Sequence, residues 1–184
     1  MKTFLIILLA GATAALTIVV RVPIPGTGGY LNFGDIAVIF CGLFLGKKYG
    51  AIAGGVGSAL ADIIGGFFIF SPITLVAKGL EGFLAGLIGE MRVDGQELGK
   101  LSSRRFKGGF EGKKKIALFL LPLAGLTMVA VYFLAEWLLP GWGLAAAISE
   151  LPFNIAQAFV GSYIGYIVYV LVILALPRKE EKQA

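Results

Sequence analysis

Histidine is absent from the 184 residues and cysteine occurs once, at Cys41. The first absence removes the usual ligand or base of zinc, haem and Ser-His-Asp chemistry, and the second rules out an internal disulfide. Charge is scarce as well, at 15% of residues. A GxxxxGK phosphate loop is also missing: the Gly-Lys pairs at Gly46, Gly99 and Gly112 have Cys41, Asp94 and Lys107 where the leading glycine belongs. That excludes ATP binding of the phosphate-loop kind. The glycine-rich stretch around Ser58 has no histidine to activate a serine nucleophile, so no enzyme chemistry is expected there. No metal or cofactor site is expected either.

What the chain has is hydrocarbon. The AVILMFWYC set makes up 58% of it, glycine adds 27 residues, and the mean hydropathy is +0.89. A soluble globule of this size cannot hide so much apolar surface, so the bilayer must cover it. At ~20 residues per crossing, six crossings take about 120 residues and leave no room for a separate soluble domain. The expectation is one transmembrane domain over residues 1–184.

Apolar runs bounded by charge or by Pro/Gly clusters fall at about Thr3 to Val20, Ile36 to Gly46, Tyr49 to Gly66, Ser71 to Gly89, Ile116 to Leu138 and Ala145 to Leu176. The fold class is therefore all-α, a membrane bundle of six transmembrane helices. The second run spans only ~17 Å at 1.5 Å per residue, so it is predicted to begin further out, within Tyr30 to Asp35, or to tilt behind other protein.

Basic residues orient this frame. Lys2, Lys47, Lys48, the cluster from Arg92 to Lys115, and Arg178, Lys179 and Lys182 all fall on one side, leaving Arg21 opposite and Lys78 inside a span. Cytoplasmic loops retain positive charge, so both termini are predicted to be cytoplasmic, with a cytoplasmic loop at about 91–115 and a tail at 177–184. The net charge of +5 is thus an orientation signal and not a nucleic-acid footprint. Lys2 followed by Ala10-Gly11-Ala12 has the outline of a cleavable secretory signal, yet removing it would serve no soluble cargo, so the run is kept as the first span.

Ionisable groups inside a bilayer are costly, and here they are gathered. Asp35, Asp62, Lys78, Glu81, Glu136 and Glu150 all fall in the outer half or near the midplane of the six-span frame, and none falls in the inner half. Lys78 and Glu81 are i and i+3. Glu150, Asn154 and Gln157 are i, i+4 and i+7, a polar stripe beginning beside Pro152. Tyr30, Trp137 and Trp142 lie at matching outer ends as candidate cavity walls. Plainer roles stand beside these. Lys78 and Glu81 also suit an internal ion pair, Asp35 and Glu136 hydrated interfacial carboxylates, Asn154 and Gln157 interhelical hydrogen bonds, and the tryptophans interfacial anchors. Ala10 with Ala14, or alternatively Gly11 with Ala15, forms a small-xxx-small face on the first helix. The small residues of the third span suit tight packing within the bundle.

Several of these segments together resemble a known family. The run Gly29-Tyr30-Leu31-Asn32-Phe33-Gly34-Asp35, the third span ending in Ala61-Asp62, Lys78-Gly79-Leu80-Glu81-Gly82, and Pro152-Phe153-Asn154 with Gln157 resemble the substrate-binding S components of energy-coupling-factor (ECF) vitamin transporters, in the riboflavin or hydroxymethylpyrimidine/pyridoxine branch. The resemblance runs from the first helix to Leu176. It implies a multi-pass protein of the bacterial plasma membrane with a high-affinity vitamin pocket near the outer face, capped by the loop from Arg21 to Gly34. It further implies a membrane T component and two ATPase subunits as partners, with Ala10 and Ala14 docking onto the T component. The expected ligand is a small aromatic vitamin or precursor, pyridoxine or hydroxymethylpyrimidine before riboflavin. Tyr30 or Trp137 would stack on it, and Asn32, Asp62, Lys78, Glu81, Glu150, Asn154 and Gln157 complete the expected substrate site. The alternative is a self-sufficient proton- or ion-coupled carrier, which requires an acid in the inner half.

Overall fold

A computed structural model describes residues 2–24, 29–93, 96–97 and 110–176. Six helices occupy the six apolar runs: α1 (Lys2–Val19), α2 (Gly34–Leu45), α3 (Lys47–Ile64), α4 (Ser71–Glu90), α5 (Phe110–Leu138) and α6 (Leu144–Ala175). The bundle is all-α, with two short hairpins in its connections. Strand β1 (Arg21–Pro23) pairs antiparallel with β2 (Tyr30–Asn32), Arg21 lying opposite Asn32 and Pro23 opposite Tyr30. A second hairpin joins β3 (Arg92–Val93) to β4 (Gln96–Glu97). Strands of two or three residues carry too little alternation to show as a pattern, and Pro23 is tolerated because a ribbon edge need not donate a hydrogen bond.

Short connections reverse the chain. Gly46, with φ 79°, makes the corner between α2 and α3, a backbone state that glycine adopts without steric cost. Pro72 opens α4, where a missing N–H costs nothing. Because successive helices alternate in direction, the last turns of α1, α3 and α5 and the first turns of α2, α4 and α6 share one end of the bundle with the β1–β2 hairpin.

Helix α2 is central, touching α1, α3, α4 and α6. It has twelve residues, and none of its large apolar side chains is exposed, whereas α1, α3, α4, α5 and α6 all present them. The short run is thus shielded by protein and begins at Gly34, further out than its apolar stretch. Glycines let its neighbours reach backbone contact: a Cβ on Gly42 would lie 2.6 Å from the Gly82 carbonyl oxygen, and one on Gly82 2.6 Å from that of Gly50. Small residues in α3 serve the packing expected of them.

Among the described residues, four helices are long and apolar enough to cross a bilayer: α1, α4, α6 and the part of α5 from Ala117 to Leu138. Their exposed phenylalanines, leucines and isoleucines, such as Phe4, Phe119 and Leu171, suit a lipid environment. The bundle is polarised along its length. Away from the hairpin, Ile39, Leu43, Ala85, Ile88, Ala117, Leu121, Ala124, Tyr166 and Tyr169 pack into an apolar cluster. The buried polar side chains concentrate at the hairpin end.

Candidate functional site

The floor of that polar region is an ion cluster. Lys78 of α4 is 1% exposed, forms a salt bridge with Asp35, and lies 3.4 Å from Glu81 Oε2. Asp35 occupies the first turn of α2, where the helix dipole favours a carboxylate. Gly161 of α6 leaves room for it, since a Cβ there would collide with the Asp35 side chain. Asp35 Oδ2 and both Glu81 oxygens have no hydrogen-bond partner among the described residues, and the Lys78 ammonium is the cation that both side chains approach.

The walls come from five further segments. On α6, Glu150, Asn154 and Gln157 are all buried on one face. Gln157 Oε1 accepts a 2.8 Å hydrogen bond from the Asn32 backbone N–H, and Asn32 Oδ1 accepts one of 2.8 Å from the Gly34 N–H. The polar stripe therefore fastens the hairpin as well as facing the hollow. Tyr30 donates its hydroxyl proton to Asp62 on α3. Arg21 crosses the same corner: Nη2 donates to the Ala61 carbonyl at 2.6 Å, and the guanidinium lies 4.7 Å from the Tyr30 ring centre and 5.2 Å from that of Phe67. Burial, reinforced by the Asp62 carboxylate and opposed by Arg21, pushes the Tyr30 phenol above its usual range. Tyr30 is thus held as a neutral donor. Thr74 and the Tyr132 hydroxyl are 2.8 Å apart, joining α4 to α5.

Together Thr17, Gly29, Tyr30, Asn32, Ser58, Asp62, Phe70, Thr74, Lys78, Tyr132, Glu150, Asn154 and Gln157 line a cavity of about 440 Å³ including its open mouth. Seven residues predicted for the substrate site are brought together here: Tyr30, Asn32, Asp62, Lys78, Glu150, Asn154 and Gln157. Glu81 is not on the lining; it is fully buried beside Lys78. Trp137 is also elsewhere. It is 47% exposed with its ring 6.1 Å from that of Phe133, because one residue past Glu136 the helix has turned by about 100°. Trp142 backs the wall, its ring 4.8 Å from that of Phe70. Asp35 and Glu136 are buried and not hydrated at an interface, each 1% exposed.

On the first helix Ala14 is buried and Ala10 half-buried, the Ala10 carbonyl facing Gly57 of α3. The alternative face, Gly11 with Ala15, is exposed, and a Cβ on Gly11 would meet nothing within 4 Å. Thr17, Phe70, Thr74 and Tyr132 line the cavity without having been singled out from sequence, and Ser58, named there only as a nucleophile to be excluded, lines it too. Among the described residues, no group of three or more Cys, Asp or Glu suits a metal ion.

Three comparisons bear on this geometry. Residues 2–175 match the family model described as ECF-type riboflavin transporter, S component. An uncharacterized protein of the gap 3' region of Pyrococcus woesei is 37% identical over 154 residues, covering 84% of this chain and 89% of that protein. The thiamine precursor transporter HmpT of Lactococcus lactis subsp. cremoris is 33% identical over 140 residues, covering 76% of this chain and 68% of HmpT. In fold, the chain is similar to a solved structure described as "Structure and mechanism of the S component of a bacterial ECF transporter". The TM-score is 0.60 at 20% identity, over 96% of this chain and 98% of that one.

Proposed function

The chain belongs to the family of ECF-type riboflavin transporter S components, and from that premise we propose that its hairpin-end cavity captures a small, water-soluble aromatic vitamin or precursor at the outer face of the membrane. The observation that carries this reading is the polarised bundle. A hollow lined by Asp62, Lys78, Glu150, Asn154 and Gln157 sits above a closed apolar cluster, which makes a receptor cup and no continuous passage. Hydrogen-bonding groups beside the rings of Tyr30, Phe70 and Tyr132 are what a flat heterocycle needs. A hydroxymethylpyrimidine-type ring is the first candidate, supported by the likeness to a thiamine precursor transporter. Pyridoxine is of the same size class, and riboflavin, the ligand in the family description, comes next.

Energy for uptake is assigned to partners, a membrane T component and two ATPase subunits. The missing phosphate loop and the family support this assignment. Docking onto the T component is assigned to the exposed Gly11 and Ala15 face of α1, where a second helix can approach closely. Six crossings with both termini cytoplasmic complete the reading, supported by the one-sided distribution of Lys and Arg. A self-sufficient carrier finds no buried acid among the described residues of the apolar half to build a relay.

The test is mass spectrometry of small molecules carried through purification in mild detergent, followed by calorimetric titration of each candidate. Recovery and tight binding of a pyrimidine, pyridine or flavin is the expected result. An empty cavity that also fails to bind all three compounds would overturn it.

A further inference from the structure

The cavity lining carries hydroxyl groups on Thr17, Tyr30, Ser58, Thr74 and Tyr132. All but one are engaged. Thr17 donates to the Thr13 carbonyl at 2.8 Å, Tyr30 donates to Asp62, and Thr74 and Tyr132 hold each other at 2.8 Å. Ser58 of α3 stands apart: it is 1% exposed, and its Oγ has no hydrogen-bond partner among the described residues. Inside a helix such a hydroxyl can hand its proton to the carbonyl one turn back, as Thr13 does to Leu9 at 2.9 Å. Ser58 does not.

One turn further along the same face is Asp62, also 1% exposed. The Tyr30 and Thr74 hydroxyls stand beside its carboxylate, yet Oδ2 has no hydrogen-bond partner among the described residues. The other buried side-chain oxygens left in that state, on Asp35, Glu81, Glu136 and Ser162, belong to residues off the lining. Ser58 Oγ and Asp62 Oδ2 are therefore the buried hydrogen-bonding positions that the described wall leaves open. Their helix is wedged in place, since a Cβ on Gly57 would collide with the Ala10 carbonyl of α1 and one on Gly55 with the Leu75 carbonyl of α4. Both oxygens are thus presented from a rigid element, as recognition requires.

A hydroxyl can donate, whereas a carboxylate only accepts. The pair asks for an acceptor atom beside an N–H donor on the molecule that fills the hollow. The ring nitrogen and amino group of a 4-aminopyrimidine are such neighbours. Pyridoxine has carbon on both sides of its ring nitrogen and does not present that edge. Resting on the S-component reading above, we infer that Ser58 donates to a ring nitrogen of the captured molecule while Asp62 Oδ2 accepts from the amino group beside it, so that α3 selects an aminopyrimidine edge.

The experiment is calorimetric titration of the full chain in detergent with 4-amino-5-hydroxymethyl-2-methylpyrimidine and with its 3-deaza analogue, in which C–H replaces the ring nitrogen beside the amino group. Ser58→Ala should weaken binding of the pyrimidine by about fivefold or more, the scale of one hydrogen bond, and should not weaken binding of the analogue. Because the hydroxyl removed has no partner in the protein, the melting temperature of the ligand-free variant should not fall. A variant that melts lower or fails to fold would mark Ser58 as a structural hydroxyl and overturn the inference. Equal effects on the two compounds, or none on either, would also overturn it while leaving the receptor reading intact. Binding of pyridoxine or riboflavin and not of the pyrimidine would do the same. If none of these compounds binds, the receptor reading fails and the role of Ser58 with it.

Discussion

Lys78 meets Asp35 across 43 positions of sequence and Glu81 across three, and both partners are buried. Removing the cation strands two carboxylates, so Lys78→Met should lower stability by ~3–5 kcal/mol, and adding Asp35→Asn should recover part of that. Melting curves in detergent check both. Asn154, which faces the hollow, behaves differently: Asn154→Ala should leave melting nearly unchanged yet weaken ligand binding more than about tenfold, since an unpaired polar group in a dry site costs ~1–3 kcal/mol. Calorimetry separates these effects. For Tyr30 the sign follows from its raised phenol. The neutral form is favoured in the folded protein, so its contribution is full below the ordinary value of 10.0 and fades as pH climbs toward the raised one. The melting difference between wild type and Tyr30→Phe should therefore be constant up to about pH 10 and narrow above it. Sequence spacing exposed the Lys78–Glu81 and Glu150–Asn154–Gln157 faces because each lies within one helix. Asp35 as the principal partner of Lys78 was not legible, because that contact depends on how α2 packs against α4. Tyr132 and Thr74 stayed hidden because within an apolar run such residues look like any core or interfacial position.

Helices were the most legible part, since each coincides with an apolar run, and among the described residues four of these have the length and apolarity a bilayer demands. Their mutual distances were not. The approach of α2, α3 and α4 depends on Gly42, Gly50 and Gly82 meeting at backbone distance. Gly82→Val places branched carbons against the Gly50 carbonyl, where backbone and not a flexible side chain must yield. Little folded protein should then survive detergent extraction, as judged by size-exclusion chromatography, whereas Gly11→Val on the exposed face of α1 should extract normally. Gly11 and Gly82 are both small residues on helices, and sequence alone did not separate them, just as it did not separate Ala10 and Ala14 from Gly11 and Ala15. The hairpin was equally unreadable, its strands being three residues long and fastened by Gln157 and Asp62 from distant helices.

At the scale of the molecule, the polar half and the apolar half divide the labour between recognition and sealing. Purified protein in liposomes should bind its ligand but not concentrate it under a proton gradient, with accumulation appearing only when T component and ATPases are reconstituted alongside. Radiolabel trapped by the lone protein would reinstate the carrier. The apolar cluster headed by Ile39 and Leu121 has a further consequence for a cell. With that greasy plug filling the half away from the hairpin, overproducing this subunit by itself should cost the cell none of its ion gradients. On the receptor reading proposed above, its passenger would have one doorway, stay freely exchangeable with the medium, and reach the cytosol only when another protein opens a second.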